Sequence, residues 1–358
     1  MRLSDLAVGR ENNLNFLRLF AASLVLVGHN YALLNLPDPL KNIFKVSTGP
    51  HISLAHISVD AFFVISGFLV CGSLFKKSDA IDFFSARFLR IYPGLIMMSL
   101  LSVLVLGPAV TNLPLLDYLT DRQTWTYLIS TGTVASTALQ FSLPGVFENI
   151  PYPNVVNGSL WTMPYEIRMY IILAGGYFFI KIITKNFEVY AGYFIVGLAG
   201  VGLFLYIWSA LQVIPRLHAS RFIWFFFSGS CFWLLRKYVY INMRAVFVII
   251  LLFGLTLLAG NKYFFIFYVL VFGYIVISMA YLPNKIFRAL NKVGDYSFGI
   301  YIYAFPVQQA CIFFVPEISF IKLLFLSFMI TISLAMMSWH FVEKPFLESK
   351  NRVSNTLK

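Results

Sequence analysis

A guanidinium and an imidazole stand eleven residues apart in one apolar run, at Arg18 and His29 of RLFAASLVLVGH. Further along, apolar stretches carry Asp60 in SVDAFFVISGFLV, Arg87 and Arg90 in FSARFLRIYPG, and Glu166 in GSLWTMPYEIRMY. Histidine is the side chain that titrates near neutrality without a large shift, so His29 is the natural acceptor for a proton from a nucleophile. A carboxylate such as Glu166 or Asp60 can orient that imidazole through its other ring nitrogen. The planar fork of arginine binds phosphate in bidentate fashion, which suits Arg18, Arg87 and Arg90 to a phosphorylated ligand.

These groups belong to a membrane protein. Of 358 residues, 59% are hydrophobic and only 12% charged, where a soluble domain carries about 25% charged residues. Mean hydropathy is +0.79. The net charge of +12 is dispersed in short clusters between apolar runs, which is a topology signal and not a nucleic-acid surface. Cys71, Cys231 and Cys311 lie in apolar segments at no metal-ligand spacing, so buried free thiols and no metal site are expected. The first apolar run, of about 20 residues, suits a retained span better than the shorter core of a cleaved signal.

A span needs about 20 mostly apolar residues. Ten fit, an all-α polytopic fold: Leu14–Leu34, Ile57–Phe75, Phe83–Val110, Trp161–Ile183, Tyr190–Leu211, Ser220–Leu235, Ala245–Ala259, Tyr263–Leu282, Tyr296–Val315 and Phe320–Phe341. The third is long enough to tilt or continue past the bilayer, and the sixth and seventh are short. With an internal N-terminus, 18 Lys and Arg fall on the cytoplasmic side against 7 outside, Arg18 and Arg168 lying within spans. That bias predicts both termini in the cytoplasm. Residues 111–160 then form a long external loop with an amphipathic stretch, DYLTDRQTWTYLI, suited to the interface. The tail 347–358 is short, polar and basic. With no internal repeat and no appended soluble domain, residues 1–358 read as one transmembrane domain.

Depth sorts the ionisable groups. Eleven helical steps separate Arg18 from His29 by about 16–17 Å and turn through about 1100°, close to three full turns, so both face one side. Arg18 is then near the cytoplasmic face and His29 about 7–8 Å below the outer one. Asp60 and Glu166 enter from outside, so they share the layer of His29. Arg87 and Arg90, three residues apart on one helix face, share the layer of Arg18. Plainer readings stand beside these. Arg87 and Arg90 also fit as positive-inside anchors, Asp60 and Arg168 as a structural ion pair, and His29 as an interfacial histidine. His51, His56, His218 and His340 read as structural, Ser66 with Gly67 as a close helix contact, and Gln308 and Gln309 as either cavity lining or packing.

Six stretches together resemble the acyltransferase 3 family of bacterial membrane proteins, whose members mostly O-acylate carbohydrates and surface glycans. They are Arg18–His29, SVDAFFVISGFL, Arg87–Arg90, GSLWTMPYEIRMY, VGDYSFGIYIYAFPVQQ and the closing FVEKPF. They follow the family's order and cover essentially the whole chain. The resemblance puts Arg18, His29, Arg87 and Arg90 in the active region, with Asp60 and Glu166 at acidic motif positions and acetyl-CoA as donor. Two departures stand out: Ile167 where many members have a second acid, and Ala304 where many have a histidine, a role Tyr303 could take up.

What the resemblance implies is a multi-pass O-acetyltransferase of the bacterial cytoplasmic (inner) membrane, surrounded by lipid. Acetyl-CoA is its cosubstrate and no cofactor is permanently bound. Arg18, Arg87 and Arg90 would hold the donor, His29 would act as base, and Glu166 or Asp60 would orient it. Trp161, Tyr165 and Tyr303 would contact a carbohydrate acceptor arriving from outside. Direct attack and an acyl-histidine relay both fit. So does a secondary transporter or glycan-lipid exporter without this chemistry, although inverted repeats are absent from the sequence.

Overall fold

The computed structural model describes residues 1–9, 11–40, 52–134, 139–212, 218–259, 261–282 and 285–349. Arg10, Lys41, Lys45, His51, Arg216 and the basic end from 350 onward lie outside them. The described residues are 80% helix and contain no strand. Ten described helices have 17 residues or more: α1 (Leu14–Leu33), α2 (Leu54–Lys77), α3 (Ala80–Leu101), α4 (Met163–Ile183), α5 (Phe187–Gln212), α6 (His218–Leu234), α7 (Met243–Ala259), α8 (Asn261–Tyr281), α9 (Ser297–Phe314) and α10 (Phe320–Ser338).

Each expected span is therefore helical, with ends moved by a few residues. Seven of the ten are long and apolar enough to cross a bilayer. The other three are α4, which carries Glu166, Arg168 and Lys181, and the 17-residue α6 and α7. The third span continues past α3 through a π-turn, Ser102–Leu106, to Val110.

The chain groups into two compact units, Met1–Ala21 with Pro39–Ala80 and Tyr165–Gly294, and Ala22–Asp38 with Ile81–Pro164 and Asp295–Lys358. In the first unit α2 and α6 meet through glycine. A Cβ on Gly67 would lie 1.8 Å from the Phe226 carbonyl oxygen, and one on Gly229 2.1 Å from that of Val64. Small residues let two backbones approach this closely, and the Ser230 hydroxyl donates to the Gly67 carbonyl across the gap.

Contacts also fix helix direction. Phe63 stacks on Phe222, Gly67 meets Phe226 and Gly72 meets Trp233, so α2 and α6 run parallel. Ser66 bonds Tyr170 and Ser78 bonds Tyr177, so α4 runs the same way. Asp60 bonds Tyr268 and Phe68 packs on Tyr281, which adds α8.

In the second unit α9 and α10 are antiparallel, Gly299 against Ala335 at one end and Ile312 near Leu323 at the other. Within residues 111–160, short helices Leu115–Thr120 and Arg122–Thr133 bury Tyr118 and Tyr127 with Val103, Val110, Phe147 and Val156. The Tyr118 hydroxyl donates to the Val103 carbonyl at 2.9 Å. Gly107 makes room for it, since a Cβ there would sit 1.9 Å from that oxygen. The described part of this loop is thus a packed lobe.

Candidate functional site

α1 is one continuous helix through both Arg18 and His29, so their separation along it stays about 16–17 Å. Its first part belongs to the first unit and its second part, from Ala22, to the second. Arg18 is half-buried.

In the second unit, His29 is partly exposed, and its ring meets Phe305 of α9 edge-on with centroids 5.2 Å apart. Its Nδ1 is buried and meets no hydrogen-bond partner among the described residues. Most buried polar atoms are paired, so an unpaired imidazole nitrogen marks a position where chemistry competes with stability. The helix is braced on both sides of it by Gln308. Gln308 donates from Nε2 to the Leu26 carbonyl at 2.8 Å and to Asn30 Oδ1 at 2.5 Å, one residue beyond His29. Gln309 donates to the carbonyls of Tyr152 and Val155, both at 2.8 Å. The adjacent glutamines therefore tie α9 to α1 and to the lobe.

Trp161 sits half-buried in a 3-10 turn, Gly158–Thr162, that lies along α9. The Asn157 amide donates to the Ile302 carbonyl at 2.8 Å, and the Tyr301 hydroxyl donates to the Ser159 carbonyl at 2.6 Å and bonds the Thr162 hydroxyl. A Cβ on Gly158 would fall 2.8 Å from the Phe305 ring, so glycine is what lets the turn close over it. Tyr303 is buried on α9.

Arg87 is half-buried, its guanidinium 5.5 Å from the Phe83 ring centroid. Arg90 is engaged twice by acids. Its NH2 group donates to Asp295 Oδ2 at 2.7 Å, and its NH1 lies 3.5 Å from Glu343 Oε2.

In the first unit, Glu166 stands half-buried and accepts from the hydroxyls of Tyr170 and Ser66 on one oxygen. Ser66 is therefore a hydrogen-bonding residue, and the close helix contact belongs to Gly67. Tyr165 packs on Phe222 with ring centroids 5.0 Å apart.

Asp60 is buried, and its carboxylate accepts from Arg221 Nε and from the Tyr268 hydroxyl, each at 2.7 Å. Arg221 also donates to the His56 carbonyl at 2.7 Å. The structural pair of Asp60 is therefore Arg221 and not Arg168, which is exposed and lies over the Tyr165 ring. Arg221 is one of the seven Lys and Arg that the charge bias assigns to the outside. It is buried in the first turn of α6 instead, because a short span brings its end residues into the protein. A basic residue inside the expected Ser220–Leu235 span was the available signal. Nothing local flagged Asp295 or Glu343 as partners of Arg90. No group of three or more His, Cys, Asp or Glu among the described residues is arranged to hold a metal ion.

A family model described as Acyltransferase domain matches residues 11–340. The chain is 29% identical to a protein named O-acetyl transferase from Shigella phage Sf6, over 94% of this chain and 96% of that one. It is 27% identical to Nodulation protein 10 of Rhizobium leguminosarum bv. viciae, over 95% and 94%. No solved structure matches. With nearly its whole length matched and a multi-pass helical fold, the chain belongs to the acyltransferase 3 family and is a membrane acyltransferase.

Proposed function

We propose that this acyltransferase moves an acetyl group from cytoplasmic acetyl-CoA to a hydroxyl of an extracytoplasmic glycan. The observation that carries the reading is His29, an ionisable side chain in an apolar helix with its buried Nδ1 unpartnered among the described residues. Intramembrane ionisable groups mark sites or pathways. The phage relative's name, O-acetyl transferase, supports the acetyl group and the oxygen acceptor.

His29 takes the proton of the acceptor hydroxyl as its oxygen attacks the thioester carbonyl. The tetrahedral oxyanion collapses, the carbon–sulfur bond breaks, and the imidazolium returns the proton to the departing thiolate. Arg18 and Arg87 serve the donor's phosphates. The pantetheine arm extends along α1 over about the 16–17 Å between Arg18 and His29. Arg221 and Tyr268 take up both oxygens of Asp60, which leaves Glu166 as the catalytic acid, and Trp161, Tyr165 and Tyr303 serve the sugar.

Topologically, we assign ten crossings with both termini cytoplasmic, in a bacterial inner membrane. The parallel run of α2, α4, α6 and α8 supports this, because four even-numbered helices share a direction if every helix between them crosses once. The 17 residues of α6 and α7 reach the lower end of the spanning range, about 17–25 residues. The Lys and Arg bias supports the internal N-terminus.

The test is acetyl-CoA consumption by protein purified in detergent, with and without His29→Ala, together with mass spectrometry of surface glycans from cells with and without the gene. Hydrolysis or transfer that needs His29, and loss of a 42-Da glycan increment, about one acetyl group, are expected. Unchanged turnover in His29→Ala removes the base assignment. No turnover by the wild-type protein, with glycan export altered in cells, favours a transporter.

A further inference from the structure

Arg90 lies inside a clamp of four side chains. Its two terminal nitrogens face two carboxylates, Asp295 at 2.7 Å and Glu343 at 3.5 Å. Its guanidinium carbon lies 5.7 Å from the Phe298 ring centroid and 5.8 Å from that of Trp339. The acids are themselves held. Asp295 Oδ1 accepts from the Ser297 hydroxyl at 2.5 Å and from its backbone N–H at 3.3 Å, at the start of α9. Glu343 is buried, and its Oε1 accepts from the Ser338 hydroxyl at 3.0 Å. Glu343 closes a π-turn, Trp339–Glu343, that follows α10 and also supplies Trp339. One arginine thus joins α3, the start of α9 and the end of the α10 segment, all within the second unit.

We infer that Arg90 is a positioning residue and not a donor ligand, acting through Asp295 and Glu343 to hold α9 and the groups it carries around His29. The inference deepens the acetyl-transfer reading and rests on it. Both terminal nitrogens of the guanidinium already face carboxylates, so the end-on fork that would grip a phosphate is turned toward acids. The consequence lies on α9. That helix carries Phe305, which meets the His29 ring, Gln308, which bonds Asn30, and Tyr301, which holds the turn bearing Trp161. A shift of α9 along its axis moves all three. Arg87 lies one turn earlier and keeps the donor role alone within this pair.

The decisive variants are the acids, which bind no phosphate. In purified protein, Asp295→Asn and Glu343→Gln are expected to lower kcat by about 10–10²-fold, the scale of an ångström-size misplacement, with KM for acetyl-CoA unchanged. Arg90→Met should do the same, Arg90→Lys should recover part of kcat, and Arg87→Met should raise the donor KM. If Arg90 binds the donor, the acid variants release it and lower the donor KM, or Arg90→Met raises that KM. Either result overturns the inference.

Thermal unfolding in detergent scores the clamp apart from turnover. Glu343→Gln should shift the midpoint in the wild-type background and much less beside Arg90→Met. Additive shifts would overturn the clamp. A wild-type protein that consumes no acetyl-CoA but shows the coupling would sink the acetyl-transfer reading and leave the clamp standing.

Discussion

Asp60 and His29 are both ionisable groups set in apolar helices, and their surroundings differ in kind. Asp60, in the first unit, has one carboxylate oxygen on Arg221 and the other on Tyr268. His29, in the second unit, has a buried Nδ1 with no partner among the described residues, its ring against the Phe305 edge and its helix braced by Gln308 at the Leu26 carbonyl and the Asn30 side chain. Desolvation penalises both groups. At Asp60 neighbours offset it with a charge and two hydrogen bonds, so removal of one member leaves another charge stranded. At His29 the penalty of an unsatisfied donor or acceptor stands, on the order of 1–3 kcal/mol. A carboxylate paired at both oxygens reads as architecture, and an imidazole with an unpaired buried nitrogen reads as a working group.

Breaking the imidazole tests that distinction most sharply. His29→Ala should lower acyl transfer by about 10²–10⁴-fold, the usual contribution of a general base, while the protein still purifies folded. Loss of folded protein in that variant would erase the contrast with Asp60. Next comes the ion pair. Asp60→Ala strands a buried guanidinium and should destabilise by about 3–5 kcal/mol, seen as a collapse in detergent-stable protein. The neutral double variant Asp60→Asn with Arg221→Met should regain most of it. If instead Asp60→Asn alone folds normally and loses activity, Asp60 shares the catalytic character assigned to His29.

A smaller effect tests the packing that brings Asp60 and Arg221 together. Gly67→Ala forces a methyl group into the Phe226 carbonyl and should destabilise by about 1–3 kcal/mol, lowering the unfolding midpoint more than the same change at Gly175, where nothing lies within 4 Å. Smallest is Tyr268→Phe, which removes one hydrogen bond to Asp60 and should shift stability by about 1–2 kcal/mol with turnover intact. A large activity loss there would mean that the Asp60 cluster does more than hold helices.

Much of this was legible in the chain. The apolar runs located all ten long helices to within a few residues, because a segment that cannot hydrogen-bond to solvent must satisfy its backbone internally. Gly67 was readable as a close contact for the same kind of local reason, since only a small side chain permits it. The long loop was less transparent. Its Pro, Asn and Gly content gave no hint that Tyr118 and Tyr127 would bury themselves in a lobe, since their partners Val103 and Phe147 lie on separate segments. Gln308 and Gln309 fitted cavity or packing equally until their backbone acceptors were known.

The sequence by itself determined that this is a helical membrane protein, which family it belongs to, and which ionisable residues sit at depth, because composition, apolar run length and motif order are local properties. Only the tertiary structure decided which of those residues are partnered. Asp60 finds Arg221 across 161 residues and Arg90 finds Asp295 across 205. Such pairings depend on which helices pack side by side and in which direction. A charge on an isolated helix carries no record of its neighbour, so its role appears only when the helices are assembled.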